Sequence, residues 1–264
     1  MRAVLRLFAA LAFGVSVSAA HASFGGDNNS DLWWVPSESG WGVQFVQQGA
    51  LIFATMFVYD ANGKPTWYVA LMQFSPGSSP VKFAGQLYQT TGPWFGGPFD
   101  PNAVHSDVVG TMTFVENFVE KGTLTYSVGN VTVTKAITRQ TLQNWDFSDT
   151  YAGLVNRSNG GCVVPGVPAV TSTPVGIAIV HNGATFSMTT SDATSDVCRY
   201  TGTYQQIGHM GFVTGTFACT DGEIGNFTTF AMEINNSGFT GRLDASSNRC
   251  TVIRGRLGGL VTTP

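Results

Sequence analysis

The sequence predicts an all-β protein built as two tandem antiparallel meander barrels. Three observations carry this expectation. Only 11% of the 264 residues are charged, while glycine alone numbers 32. That composition suits sheet and tight turns better than helix or disorder. Apolar and polar residues alternate with a period of two between short turns that carry Gly or Asn. The chain also repeats itself in order along its length.

The repeat sets the domain organisation. Val43-Gln-Phe-Val-Gln-Gln-Gly49 matches Ile177-Ala-Ile-Val-His-Asn-Gly183 at an offset of 134 residues. Further on, Val109-Gly110, Gly122 and Arg139 match Ile224-Gly225, Gly238 and Arg254, and Leu87-Tyr88-Gln89 falls opposite Thr203-Tyr204-Gln205. A conserved order of weak matches reads as a duplication. Its boundary lies near Trp145 to Asp149, giving a Trp-rich domain over 23–145 and a second domain over 146–264.

Each half reads as seven or eight short strands in sequence. Gln48-Gly49 and Asn182-Gly183 occupy matching hairpin turns, where a positive φ is needed. Leu51 to Tyr59 is apolar on both faces, so its outer face is expected to pack against another surface, such as the other half. Asp60-Ala-Asn62-Gly63 resembles a calcium loop only in its first residues and reads as the next turn. Leu124, Tyr126 and Val128 alternate with Thr123, Thr125 and Ser127 before Gly129-Asn130 turns the chain into Val131, Val133 and Lys135. Closing each meander into a calycin- or avidin-like barrel would remove its exposed edges. A pair of β-sandwiches is the alternative.

Residues 1–22 read as a secretory signal. Arg2 and Arg6 supply positive charge, Leu5 to Val17 the apolar run, and Ala20-His21-Ala22 the small-x-small cleavage pattern. No other apolar stretch approaches the ~20 residues of a spanning helix. Loss of the signal leaves 242 residues with 11 basic and 16 acidic side chains, a net charge of −5. Nucleic acid as a partner is excluded by that balance. Periplasmic or extracellular localisation follows. All four cysteines lie in the second half, and an even count in an exported chain implies disulfides. The centre of the hairpin between Cys198 and Cys219 falls between Gly208 and His209, so these two cysteines can face each other. Cys162 then pairs with Cys250.

The first half holds all six tryptophans. Trp33, Trp34, Glu38 and Trp41 fall within one short segment, followed by Trp67-Tyr68 and Trp94. Tryptophans line sugar and aromatic sites, but they also plug small barrels. With Arg139, these residues form the expected ligand-binding set. Glu38 is the weak catalytic candidate, its rival role being a structural carboxylate in a Gly-rich turn. No metal or cofactor is expected: His105, His181 and His209 read as solvated turn residues, and no Cys-x-x-Cys pair exists. Arg242, Arg254 and Arg256 read as a solvated face rather than an anion site.

Several of these segments resemble a module of uncharacterised function found in exported bacterial proteins. They are Trp33-Trp34-Val-Pro-Ser-Glu-Ser-Gly-Trp-Gly, Gln47-Gln48-Gly49, Phe57-Val-Tyr-Asp-Ala-Asn-Gly-Lys-Pro-Thr-Trp67, Thr91-Gly-Pro-Trp-Phe-Gly, Phe99-Asp-Pro and Lys135-Ala-Ile-Thr-Arg139-Gln140. The resemblance covers about residues 30–142 and departs at Val35, where the module often carries Asn. It implies export and a bacterial source, and it supplies no catalytic residue.

The leading functional expectation is non-enzymatic binding of a small apolar or sugar-like ligand at a Trp-lined end of the first barrel. A hydrolase using Glu38 is one alternative. A surface interaction or inhibitor module using the segment Gly92 to Asp107 is another.

Overall fold

The computed structural model describes residues 28–262. The expected signal segment lies outside the described residues. The first eight strands are β1 (Asp31–Trp34), β2 (Gly42–Gln48), β3 (Leu51–Tyr59), β4 (Pro65–Phe74), β5 (Val81–Thr91), β6 (His105–Phe118), β7 (Lys121–Val128) and β8 (Val131–Arg139). The second eight are β9 (Asp149–Cys162), β10 (Val170–Asn182), β11 (Thr185–Ser191), β12 (Val197–Ile207), β13 (Met210–Cys219), β14 (Ile224–Asn235), β15 (Gly238–Ser247) and β16 (Cys250–Val261).

Each set forms a closed antiparallel barrel. Trp33 of β1 pairs with Arg139 of β8, and Cys162 of β9 pairs with Cys250 of β16, which closes each meander on itself. Closure rules out the sandwich alternative and satisfies the backbone groups that an open edge would leave bare.

The duplicated glycines mark where neighbouring strands approach most closely. A Cβ on Gly110 would lie 1.8 Å from the Ser127 carbonyl oxygen, and one on its counterpart Gly225 would lie 1.9 Å from that of Ser246. Only glycine fits either position. Gly49 and Gly183 turn the matched hairpins at φ +57° and +60°. One sequence match fails. Leu87 belongs to β5 and Thr203 to β12, whereas the counterpart of β5 is β13. The first barrel carries a long β5–β6 loop, 92–104, where the second has only the short turn 220–223. The alignment took up that length difference one strand too early.

Side chains inside the first barrel form a dry aromatic core. The Phe114 ring lies 4.9 Å from Phe45 and 5.2 Å from Trp33, edge-on to both. The second core centres on Tyr151 against Phe239 at 4.7 Å and Tyr200 against Phe217 at 5.3 Å. Contrary to expectation, the outer apolar face of β3 does not pack on the second barrel: Phe53 is 46% and Phe57 50% exposed.

Both expected disulfides are present, Cys162–Cys250 and Cys198–Cys219. The β12–β13 hairpin turns at Gly208-His209 and puts Cys198 directly opposite Cys219.

Candidate functional site

The tryptophan set expected to line one pocket is dispersed. Strand alternation sends Trp33 inward, where it is fully buried, and Trp67 outward, where it is 46% exposed. The two therefore lie on opposite sides of the barrel wall. Trp94 stands 72% exposed on the β5–β6 loop, and Trp34 is half-buried at the end of β1.

Glu38 and Trp41 do meet, on the β1–β2 loop at one end of the first barrel. Lys135, facing inward on β8, donates to both Glu38 carboxylate oxygens at 2.8 Å, and the Trp41 indole donates to Oε2 at 2.9 Å. Those hydrogen bonds, Lys135 first, hold the Glu38 carboxyl below its usual range. The ionised form is the opposite of what a general acid requires. Tyr68 and Tyr126 pack on the core beneath this pair, and burial pushes the Tyr126 phenol up. Asp60 and Asp100 accept amides of their own turns, and Glu116 accepts from Asn29. The Asp60 segment is thus a turn, as its sequence suggests.

Arg139 sits at the opposite end of the barrel. Its guanidinium stacks 4.5 Å over the Trp33 ring and donates to the carbonyls of Val119 and Asn28. It also contacts Asp31 at 3.3 Å. Asp31 in turn reaches the second barrel, accepting from the backbone amide and the ring Nδ1 of His209 at 3.0 and 2.8 Å. His209 Nε2 lies 3.4 Å from Glu233. Burial opposes charge on His209, but the hydrogen bonds to Asp31 and Glu233 outweigh it and raise its pKa to about 9. Neither His209 nor His181 is the solvated residue expected from its turn position. His181 is enclosed, with Nδ1 accepting from the Phe147 amide and Nε2 donating to the Gly183 carbonyl. Arg139 is therefore a buried residue at the junction of the two barrels.

A built cavity occurs instead in the second barrel, at the end bearing both disulfides. It is an open cleft of about 410 Å³, within the ordinary range for small-molecule sites. Val155, Arg157 and Asn159 face it from β9, Thr171, Thr173 and Val175 from β10, and Tyr200 from β12. The segment 164–168, Val-Pro-Gly-Val-Pro, covers it with apolar side chains. Asn159 anchors that cover, donating through Nδ2 to the Pro168 carbonyl at 2.9 Å.

The polar groups of the wall are unevenly satisfied. Arg157 engages Glu223 end-on, Nη1 to Oε2 at 3.1 Å and Nη2 to Oε1 at 2.9 Å. Ser247 donates to the same carboxylate at 2.8 Å. This geometry leaves Arg157 Nε without a partner, and Asn159 Oδ1 also lacks one, although both atoms are buried. Leaving such a group unpaired costs about 1–3 kcal/mol, so each calls for a partner from outside the chain. Four acids, Asp192, Asp196, Asp221 and Glu223, line the cavity against two bases, Arg157 and Arg249. Asp196, Cys198 and Cys219 approach within metal-ligand distance, but both sulfurs are committed to the disulfide.

Nothing in the sequence distinguished Arg157 and Asn159. They are two alternating positions of a polar strand end, and only closure of the barrel turns them into one wall. The chain matches no protein-family model, no curated protein and no solved structure.

Proposed function

We propose that this is an exported binding protein that holds a small, neutral, polyhydroxylated ligand in the disulfide-bearing mouth of its second barrel. The observation that carries the reading is the pair of buried, unpartnered atoms in the cavity wall, Arg157 Nε as donor and Asn159 Oδ1 as acceptor. A hydroxyl group can meet both, because it accepts and donates at once. The threonine hydroxyls of the wall extend the same chemistry, while Tyr200 and the valines of the cover supply apolar contact. The acidic excess of the lining disfavours an anion, and the two unmet polar groups disfavour a wholly apolar ligand. The sugar-like half of the sequence expectation is retained, and the ligand moves from the first barrel to the second. Two disulfides fit a protein that works in an oxidising compartment such as the periplasm or the medium.

Calorimetric titration with a panel of neutral mono- and disaccharides, alongside a fatty acid and a sugar phosphate, tests the reading. Saturable binding of a neutral sugar is expected, with loss in Thr173→Trp, which fills the cavity while leaving the Arg157–Glu223 pair intact. Binding that survives Thr173→Trp, or that occurs only with the fatty acid or the phosphate, would sink it.

A further inference from the structure

The outer wall of the first barrel carries an apolar face that the fold itself does not require. Between Gly42 and Tyr59, and again between Pro65 and Val81, no residue is charged. Strand register sets the outward side chains of β2, β3 and β4 in rows. Val46, Phe53 and Leu71 lie side by side, and Phe57 lies beside Trp67. All five are 45–56% exposed, with Tyr59 at 55% and Leu51 at 41%. In the second barrel the counterparts of β3 and β4 are polar outside, while β10, the counterpart of β2, exposes Val180. There the outward positions of β11 are Thr185, Ser187, Thr189 and Ser191, and those of β12 include Arg199, Thr201 and Thr203. Strands β11 and β12 close their wall with polar side chains, so closure does not by itself require the apolar outer face of β3 and β4.

We infer that this face is the interface of a homodimer, in which β2–β4 of one copy pack against β2–β4 of a second. The exposed area of these seven residues is roughly 700 Å², close to the ~800 Å² that one partner contributes to a standard interface. The Gln44–Thr55–Val69 row lies between the two apolar rows and adds uncharged polar area to the same face. Two further features select a second copy. A two-fold axis brings each patch against itself, and an uncharged patch meets its own image without like-charge repulsion. The rows of outward side chains on a twisted sheet are also the surface by which two sheets stack face to face.

Sedimentation velocity of the secreted full chain at micromolar concentration reads the outcome directly. The wild type is expected to run at twice the chain mass, and Phe53→Lys and Leu71→Glu at the chain mass. Both side chains point outward, so thermal melting of the variants should match the wild type. A monomeric wild type overturns the proposal, as does a dimer that persists in both variants. Wild-type chain that stays monomeric but binds zwitterionic vesicles or insoluble glucan, and loses that binding in Phe53→Lys, assigns the face to that occupant instead.

Discussion

The two barrels solve the same closure problem with different ends. The first is filled to its far end: Trp41, Tyr68 and Tyr126 pack on the core, and the Glu38–Lys135 pair spans the mouth above them. The second keeps its corresponding end open around a cavity, with one disulfide joining β9 to β16 and another joining β12 to β13. An open mouth gives up the packing that would hold its strands together. The cross-links compensate by restricting the unfolded chain. The cavity and the cysteines thus belong to one arrangement, and the first barrel, with no cysteine and a filled mouth, relies on aromatic packing.

The sharpest way to break this comparison is to remove the mouth cross-link. Cys162→Ala with Cys250→Ala opens a loop of 88 residues and should cost about 4.6 kcal/mol on the loop-entropy estimate. Every tryptophan lies in the first half. Denaturant unfolding followed by Trp fluorescence should therefore barely move, while hydrogen-exchange protection of the paired β9 and β16 amides is lost at lower denaturant. Equal shifts by both probes would mean that the barrels unfold as one unit and that the contrast is not energetic.

A smaller effect lies at the junction. The His209 pKa is raised from 6.5 to about 9, so its contribution is complete below pH 6.5 and lost as pH rises through 9. Burial pushes the carboxyls of Asp31 and Glu233 up, but less than the bonds to His209 pull them down. Their contribution is lost only as the solution becomes strongly acidic. Hydrogen exchange at the His209 amide, which donates to Asp31, should show protection, corrected for intrinsic rate, falling between pH 6.5 and 9. His209→Asn should flatten that dependence. A pH-independent protection factor in the wild type would refute the role of the charge.

The smallest expected effect is at the first barrel's mouth. Glu38→Gln keeps the acceptor for Trp41 and removes the charge facing Lys135. Because that carboxylate is solvent-screened, the melting temperature should hardly change. Trp41 emission should report the change locally. A large drop in stability would mean that the pair, rather than the aromatic packing, holds the first barrel shut.

Much of the fold was legible in the chain. The period-two segments became strands, the Gly49 and Gly183 turns sit where they were expected, and the paired cysteines followed from the symmetry of one hairpin. The site was not legible. The tryptophans drew attention by their chemistry, yet alternation across a barrel wall sends Trp33 to the core and Trp67 to the surface. Arg157 and Asn159 look like any polar pair on a strand. The composition of β3 points to an outer face packed on another surface, yet the structure leaves that face exposed, because nothing local to the strand fixes where the second barrel sits.

What the sequence determined alone was local and periodic: strands, turns, duplication and cross-links, all properties set by neighbours a few residues apart or by a hairpin's own symmetry. The tertiary structure decided which side of each wall a residue faces and which strand ends converge. Those depend on barrel closure and register, where a one-residue shift exchanges inside for outside. The mouth of the second barrel exists only after β9, β10 and β12, far apart in the chain, have closed around it.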